Sequence, residues 1–277
     1  MTKSKLKTKV CEIIDARADY IYAIGEKILK KPEMGYREFN TANLVAEELK
    51  KLGIPYKTGL AMTGVKGNLA GRKSLARVAV IGELDAVVSP THPEADPTNG
   101  AAHACGHNIQ IAVMLGAAMG LSEIASYLDG DVCFFATPAE EYVEIGFREK
   151  LLERGDIQFF GGKQELIRLG EFDDVDMAMM VHAQGSTPHR EAFIGGSSLG
   201  FVAKSIDFLG KASHAGGAPH EGINALNAAM SAMMCIHAQR ETFRDEDKIR
   251  VHPIITNGGA MVNAIPETAV LESYVRG

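Results

Sequence analysis

Three short apolar runs constrain the fold of this chain more than any other feature of its sequence. Residues 77–82, 132–137 and 177–181 are almost continuously apolar, as expected of strands that are buried on both faces of a sheet. A segment rich in Ala, Met and Leu, residues 109–128, has the composition of a long helix and separates the first run from the second. Strands that alternate with helices predict an α/β domain with a mainly parallel sheet and flanking helices.

Helices are also predicted at the start of the chain. Apolar residues recur at helical spacing from about residue 5 to residue 30, where Pro32 ends the pattern. A second helix is predicted for residues 41–52, and a β-like segment for residues 64–69.

The residue composition and the pattern of predicted elements change around residue 190, and we expect a domain boundary there. Gly195-Gly196-Ser197-Ser198 has the composition of a hinge. The strands predicted after it (201–209, 250–256 and 267–275), with a helix at 224–240, indicate a smaller α+β unit with antiparallel character. The predicted domains are therefore residues 1–190 and residues 191–277.

Bulk composition excludes several classes of protein. Of the 277 residues, 46% are hydrophobic and 23% are charged, and the formal net charge of -6 comes with no basic patch of the kind that binds nucleic acid. No apolar run reaches membrane-spanning length, and the Lys-rich start does not resemble a signal peptide. We therefore expect a cytoplasmic protein with neither nucleic acid nor a membrane as partner. Cys11, Cys133 and Cys235 are expected to be small buried hydrophobes without disulfides.

Polar side chains follow each of the three apolar runs. Glu83 and Asp85 come after the first run, Glu140 and Glu141 after the second, and His182 after the third. Ligands of open α/β sheets collect beyond the carboxyl ends of the strands. These five side chains are therefore predicted to lie near one another at one edge of the sheet.

The segment His103-Ala104-Cys105-Gly106-His107-Asn108 adds a thiol and an imidazole to this edge. Thiolate and imidazole are good ligands of zinc-like ions, and the glycine between Cys105 and His107 allows a turn that lets both face one point. A long loop with three prolines, residues 86–102, precedes the segment. A loop of that length beside such a motif is expected to form a functional rim.

Each of these residues also has an ordinary structural interpretation. Acidic residues such as Glu140 and Glu141 are favoured in the first turn of a helix, His182 could be a hydrogen-bonded core histidine, and Cys105 a small buried residue. Their coincidence at one sheet edge favours a metallohydrolase centre over these separate interpretations.

A site with two metal ions gives nearly every group a task. Asp85 would orient a ligand through a hydrogen bond, and Glu140 would be the general base that takes a proton from a metal-activated water. Two ions can activate that water and also polarise a carbonyl. The predicted ligands are Cys105, His107, Glu141 and His182.

Two questions stay open at the level of the residues. Cys105 and His107 could instead form a nucleophile and base pair, although residues two apart on a turn seldom reach each other and the glutamates would then lack a role. The mixed sulfur, nitrogen and oxygen set suits zinc, and also manganese, cobalt or nickel.

The motifs resemble those of the aminoacylase/carboxypeptidase superfamily of co-catalytic metallopeptidases. Within it they resemble the amidohydrolase branch that contains indole-acetyl-amino-acid hydrolases and aminobenzoyl-glutamate hydrolases. The matching segments are His103 to Asn108, Pro138-Ala139-Glu140-Glu141, His182 after an apolar strand, Gly210-Lys211-Ala212-Ser213-His214-Ala215, and Val262-Asn263-Ala264-Ile265-Pro266.

The resemblance implies a zinc-peptidase-like catalytic domain and a lid domain through which two copies form a homodimer. His214 on the lid would reach an active site, that of the partner subunit, and stabilise the oxyanion, while Asn263 would help to bind substrate. The implied reaction is metal-dependent hydrolysis of an amide bond in a small N-acyl amino acid, dipeptide or related conjugate.

The sequence departs from the family's pattern at its end. Family members continue past the lid and return to the catalytic domain with a final histidine ligand, whereas this chain stops at Arg276-Gly277. We therefore expect either a truncated version of such an enzyme or one whose remaining part is supplied by another chain. The alternative is a non-catalytic metal-binding or dimerisation module.

Overall fold

The fold was analysed in a computed structural model that describes residues 1–185, 194 and 198–277. The chain divides into two compact units, Met1–His189 and Arg190–Gly277. Most of the segment predicted as a hinge, residues 195–198, lies outside the described residues.

The first unit is built on a five-stranded sheet of order β1-β2-β6-β3-β7. Strand β3 is parallel to both of its neighbours, β6 and β7. On the other side of β6, strand β2 pairs antiparallel with β6, and β1 pairs antiparallel with β2. The predicted α/β class with a parallel sheet is confirmed. The strands of this unit, in chain order, are β1 (Tyr56–Leu60), β2 (Gly64–Leu69), β3 (Arg77–Glu83), β4 (Val87–Val88), β5 (Ala101–Ala102), β6 (Asp131–Thr137) and β7 (Met177–Met180).

Helices pack on this sheet through small and apolar residues. Among them, α4 is the most deeply placed, and a Cβ added at its Gly120 would lie 2.8 Å from Val10 of α1. The first residue of this helix is His107. The helices are α1 (Lys3–Ala16), α2 (Ala18–Leu29), α3 (Phe39–Lys51), α4 (His107–Ser122), α5 (Ile145–Glu153) and α6 (Gly162–Arg168).

Two of the predicted helices were wrong in extent. The single helix expected over residues 5–30 is broken at Arg17, whose N–H donates to the carbonyl oxygen of Ile14 in a tighter turn. The long helix expected to reach residue 128 ends at Ser122 and is followed by a 3-10 turn, Ala125–Tyr127. The long loop at 86–102 also contains the short antiparallel pair of β4 and β5.

Some predictions of burial were also wrong. Strand β7 was expected to be buried on both faces, but it lies at the edge of the described sheet and its residues are exposed, Met177 and Met179 by 56% each. Cys11 and Cys235 are exposed as well, because the amphipathic helices that carry them present those positions to solvent, whereas Cys133 is buried as predicted.

The second unit is a three-stranded antiparallel sheet with one longer helix. The strands are β8 (Phe201–Leu209), β9 (Arg250–Asn257) and β10 (Thr268–Arg276), in the order β8-β10-β9, and the helix is α7 (Ala225–Gln239). The side chain of Asn224 caps α7 by accepting a hydrogen bond from the N–H of Asn227 at 3.0 Å. A small core of alanines on α7 and β10 joins helix and sheet.

No helix in the described parts of the chain has the length and apolar character needed to span a bilayer.

Candidate metal centre

Gly106 shapes the segment that carries Cys105 and His107. Its φ of +89° lies in the left-handed region, which glycine adopts without strain. A Cβ at this position would also lie 2.9 Å from the side chain of Ala183, just after β7. Only glycine therefore allows the chain to turn here and enter α4 with His107 as the first helical residue.

His107 is held in one orientation by Asp85. Its Nδ1 lies 2.8 Å from the backbone carbonyl oxygen of Asp85 and 3.3 Å from the carboxylate Oδ1 of the same residue. Since both neighbours are acceptors, Nδ1 carries a proton and donates it. In the neutral imidazole this leaves Nε2 with a free lone pair, which is the form that binds metal ions.

Glu83 faces that free nitrogen. Its Oε2 lies 3.0 Å from His107 Nε2, both side chains are at most 1% exposed, and Lys163 forms an ion pair with the other carboxylate oxygen. Burial opposes ionisation of Glu83, but His107 and Lys163 outweigh it and lower its pKa to about 2. Burial likewise opposes protonation of His107, but hydrogen bonds to Asp85 and Glu83 raise its pKa to about 10.

Cys105 and His182 meet on the other side of His107. The Cys105 Sγ lies 3.3 Å from His182 Nε2, and His182 Nδ1 lies 2.6 Å from the carbonyl oxygen of Ala183. The rings of His107 and His182 are nearly perpendicular, with centroids 5.8 Å apart. Burial, together with a hydrogen bond to Glu141, raises the pKa of the Cys105 thiol to about 12.

The two adjacent glutamates both approach His107. The Oε2 atom of Glu140 and the Oε1 atom of Glu141 each lie 3.9 Å from His107 Nε2. The N–H of Glu141 donates to Asp85 Oδ2 at 2.8 Å, so Asp85 contacts both the histidine and the glutamate segment. Burial, followed by the charge of Glu83, raises the pKa of Glu140.

These side chains form two overlapping groups of possible metal ligands. Cys105, His107 and His182 make up one group, and Glu83, His107 and Glu140 the other, with the ligand atoms of each group within 4.8 Å of one another. Glu141, predicted as a ligand, is a member of neither group among the described residues, although its carboxylate is only 3.9 Å from His107.

The donor set fits a divalent metal ion. His107 Nε2 and Glu83 Oε2 are buried and lie 3.0 Å apart, and neither has another hydrogen-bond partner among the described residues. Two buried acceptors in this arrangement are costly unless a proton or a cation lies between them. The neighbouring thiol and second imidazole are ligands that zinc accepts.

Glu83 is the residue at this site whose role the sequence left unassigned. Its place directly at the end of β3 was visible in the sequence, and the preference of metal ions for carboxylates at such an edge was the available signal. Lys163 gave no such signal, because α6 brings it to Glu83 from 80 residues further along the chain.

The second unit carries the other two predicted site residues, His214 and Asn263, in contact with each other. The N–H groups of Gly216 and Gly217 donate to His214 Nδ1 at 3.1 and 2.8 Å. Nδ1 is therefore an acceptor, and in the neutral ring Nε2 carries the proton. The side-chain nitrogen Nδ2 of Asn263 lies 3.3 Å from that Nε2, and because both atoms then carry hydrogens, neither accepts a hydrogen bond from the other.

An α/β unit with thiol, imidazole and carboxylate donors at one sheet edge, followed by an antiparallel α+β unit, has the architecture of two-domain metallopeptidases. Residues 197–277 match the family described as "Peptidase dimerisation domain". The chain also resembles a solved dinuclear metal-binding peptidase of the M20 family from Bacillus subtilis, with a TM-score of 0.64 and 22% identity over 95% of this chain and 65% of that one.

Curated relatives agree with this fold. A thermostable carboxypeptidase of Saccharolobus solfataricus is 30% identical over 98% of this chain and 66% of its own length. The Xaa-Arg dipeptidase of Mus musculus is 31% identical over 98% of this chain and 58% of its own length. Residues 197–277 thus match the dimerisation domain of the M20 family, and the whole chain is similar to metallopeptidases and other hydrolases. It spans between 56% and 66% of the length of the curated relatives it matches.

Proposed function

We propose that the chain takes part in metal-dependent hydrolysis of an amide bond in a small N-acyl amino acid, dipeptide or related conjugate. The observation that carries the proposal is that the buried His107 belongs to two groups of possible metal ligands, one with Cys105 and His182 and the other with Glu83 and Glu140. Relatives named as carboxypeptidase, dipeptidase, IAA-amino acid hydrolase and N-acetyl-L-cysteine deacetylase support the class of substrate.

The proposed site holds two divalent ions, with zinc or manganese favoured and cobalt or nickel also suited to the donors. When bound, such ions lower the pKa of water to roughly 7 and polarise a carbonyl group. Asp85 orients His107 through its backbone and side-chain oxygens. The proposed ligands are Cys105, His107, Glu141 and His182, with Glu83 as an additional donor.

Glu140 is proposed as the general base. Its side chain is 39% exposed, more than the 21% of Glu141, so it can reach a water and a substrate in the open part of the site. Its carboxylate would take a proton from the attacking water and deliver it to the nitrogen of the leaving amine. The raised pKa of Glu140 suits a group that must both accept and return a proton.

His214 and Asn263 are proposed to act on the substrate from the second unit, which we assign as the lid and dimerisation domain of a homodimer. With Nδ1 occupied by two backbone N–H groups, the Nε2–H of His214 is available to donate to a developing oxyanion. The Asn263 amide beside it would help to bind the substrate.

The test measures metal content, oligomeric state and hydrolysis on the same preparation. Protein purified without chelators is analysed by elemental mass spectrometry, then assayed against a panel of N-acyl amino acids and dipeptides with and without added metal. Two ions per chain and chelator-sensitive release of the amino acid would support the proposal. A chain that binds metal and dimerises but hydrolyses nothing would overturn it in favour of a non-catalytic module.

A covalent mechanism through Cys105 is separated in the same assay. Two results together would indicate a cysteine nucleophile. A thiol alkylator would inhibit the activity at saturating metal, and chelators would not affect it. Chelator-sensitive activity is the result that the metal mechanism requires.

A further inference from the structure

The short segment that carries Glu140 is held by buried charged side chains at both of its flanking residues. On the carboxyl side, the N–H of Glu141 donates to Asp85 Oδ2 at 2.8 Å. On the amino side, the N–H of Ala139 donates to Oε1 of Glu38 at 2.7 Å. Glu38 therefore stands in the same relation to residue 139 as Asp85 does to residue 141.

Glu38 is fully buried and its contacts are few and specific. It lies just before α3, and its second carboxylate oxygen accepts a hydrogen bond from the hydroxyl of Thr63 at 2.6 Å. A buried carboxylate is costly and is retained only where its hydrogen bonds satisfy it. Here one of those bonds holds the backbone next to the proposed base.

Arg148, on α5, contacts the same segment through its carbonyl groups. Its Nη2 donates to the carbonyl oxygen of Glu141, and its Nη1 lies 3.5 Å from the carbonyl oxygen of Ala139 and 2.6 Å from that of Phe160. The side chain is only 1% exposed. The four backbone groups on either side of Glu140, two N–H and two carbonyl, are therefore all contacted by buried ionisable side chains.

The segment has a backbone conformation that needs such support. Ala139 has a φ of +50°, in the left-handed region that costs a residue with a Cβ about 1 kcal/mol or more. The segment is also closely packed against two glycines. A Cβ at Gly35 would lie 2.9 Å from the Ala139 Cα, and a Cβ at Gly162 would lie 1.9 Å from the Pro138 carbonyl oxygen.

We propose that Glu38 and Arg148 are positioning residues that, with Asp85, clamp the backbone on both sides of Glu140 and so fix where its carboxylate points. The inference rests on the proposed role of Glu140 as general base. Both residues contact backbone groups of the segment, not the donor atoms of the proposed metal ligands. Their effect is geometric, and displacement of a base by about 1 Å can lower a rate by roughly 100-fold.

The experiment compares Glu38→Ala with Glu38→Gln in the full chain. The alanine variant loses the acceptor for the Ala139 N–H, whereas glutamine keeps an acceptor oxygen and can donate to Thr63. Hydrogen–deuterium exchange at residues 139–141 is read by mass spectrometry, and kcat and KM are measured with the best substrate of the panel. Exchange does not depend on turnover.

Asp131→Ala is the matched control. Asp131 is also a buried carboxylate that accepts from a backbone N–H, that of Gly71, but it lies at the opposite end of β6. Glu38→Ala should raise exchange at 139–141 by about tenfold and lower kcat by about tenfold or more with KM little changed. Glu38→Gln should restore both values, and Asp131→Ala should change neither.

If residues 139–141 exchange hydrogen at the same rate in Glu38→Ala as in the Asp131→Ala control, Glu38 does not hold the segment and the proposal is wrong. If Glu38→Ala does not fold, Glu38→Asp takes its place, since the shorter carboxylate keeps its charge but cannot span Thr63 and Ala139 together. Unchanged exchange in that variant would equally overturn the proposal. A wild-type chain without turnover would contradict the proposed hydrolase, while the exchange result would still decide whether Glu38 holds the segment.

Discussion

His107 Nε2 and Glu83 Oε2 face each other at 3.0 Å, both in side chains that are at most 1% exposed. Neither atom has another hydrogen-bond partner among the described residues. Since the other imidazole nitrogen already donates to Asp85, either a proton on Nε2 or a cation must lie between the two facing atoms. A divalent ion is that cation in the proposed enzyme.

The first prediction concerns Glu83 as a donor. Glu83→Gln keeps the size of the side chain but removes its charge, so we expect affinity for zinc to fall about tenfold or more. Competition with a chromophoric chelator measures the change. Asp131→Asn, which neutralises a carboxylate at the far end of the sheet, is the control. Equal affinities in the two variants would show that Glu83 does not contribute to metal binding.

The second prediction concerns the thiol. In cobalt-substituted protein, ligation by Cys105 should produce an intense sulfur-to-cobalt charge-transfer absorption. Cys105→Ser should abolish this band and weaken metal binding, whereas Cys235→Ser, which replaces an exposed cysteine on α7, should leave the spectrum intact. A spectrum that survives Cys105→Ser would remove Cys105 from the ligand set.

The third prediction separates metal binding from proton transfer. Glu140→Gln should leave bound metal unchanged but lower kcat by roughly 10²- to 10⁴-fold, because the amide cannot accept a proton from water. Elemental analysis and a steady-state assay on one preparation measure both quantities. Near-full activity in this variant would show that another group is the base.

The fourth prediction concerns the second unit. His214→Ala removes the proposed oxyanion donor, so kcat should fall roughly 10²- to 10³-fold while metal content stays constant. His220→Ala replaces an exposed histidine in the same unit and should leave kcat unchanged. Similar rates in the two variants would assign His214 an ordinary structural role.

The sequence was informative about the site residues that come directly after predicted strands. The parallel strands β3, β6 and β7 and the residues after them could be predicted because short apolar runs favour strands and ligands collect at their carboxyl ends, although β7 is exposed. Cys105, His107 and His182 are brought together as expected.

The parts that the sequence could not supply depend on tertiary packing. Lys163 and Arg148 reach the site from helices whose own sequences show only ordinary surface periodicity. Glu38 is likewise indistinguishable from a solvated acidic residue until the fold buries it against Ala139. The break at Arg17 depends on a local turn that the apolar spacing of residues 5–30 does not record.

The last prediction concerns the pH dependence of stability and follows from Glu38. Burial, the largest cause, together with the charge of Asp85, raises the pKa of Glu38 from 4.5 to about 7, against hydrogen bonds that lower it. The folded state thus holds the proton more tightly than the unfolded chain. The stability that this provides is fully present below pH 4.5 and is lost as the pH rises through 7.

Glu38→Gln is neutral at every pH and escapes that loss. In metal-free protein, the free energy of unfolding of the variant relative to wild type should therefore rise between pH 4.5 and pH 8, by up to about 3 kcal/mol. Urea denaturation at the two pH values measures the difference, and Asp131→Asn serves again as control. Hydrogen bonds hold the pKa of Asp131 below its usual range, so neutralising it should instead cost stability at pH 8. If the free energy of unfolding of Glu38→Gln relative to wild type stays constant or falls as the pH rises, the buried carboxylate is ionised without penalty in the folded state.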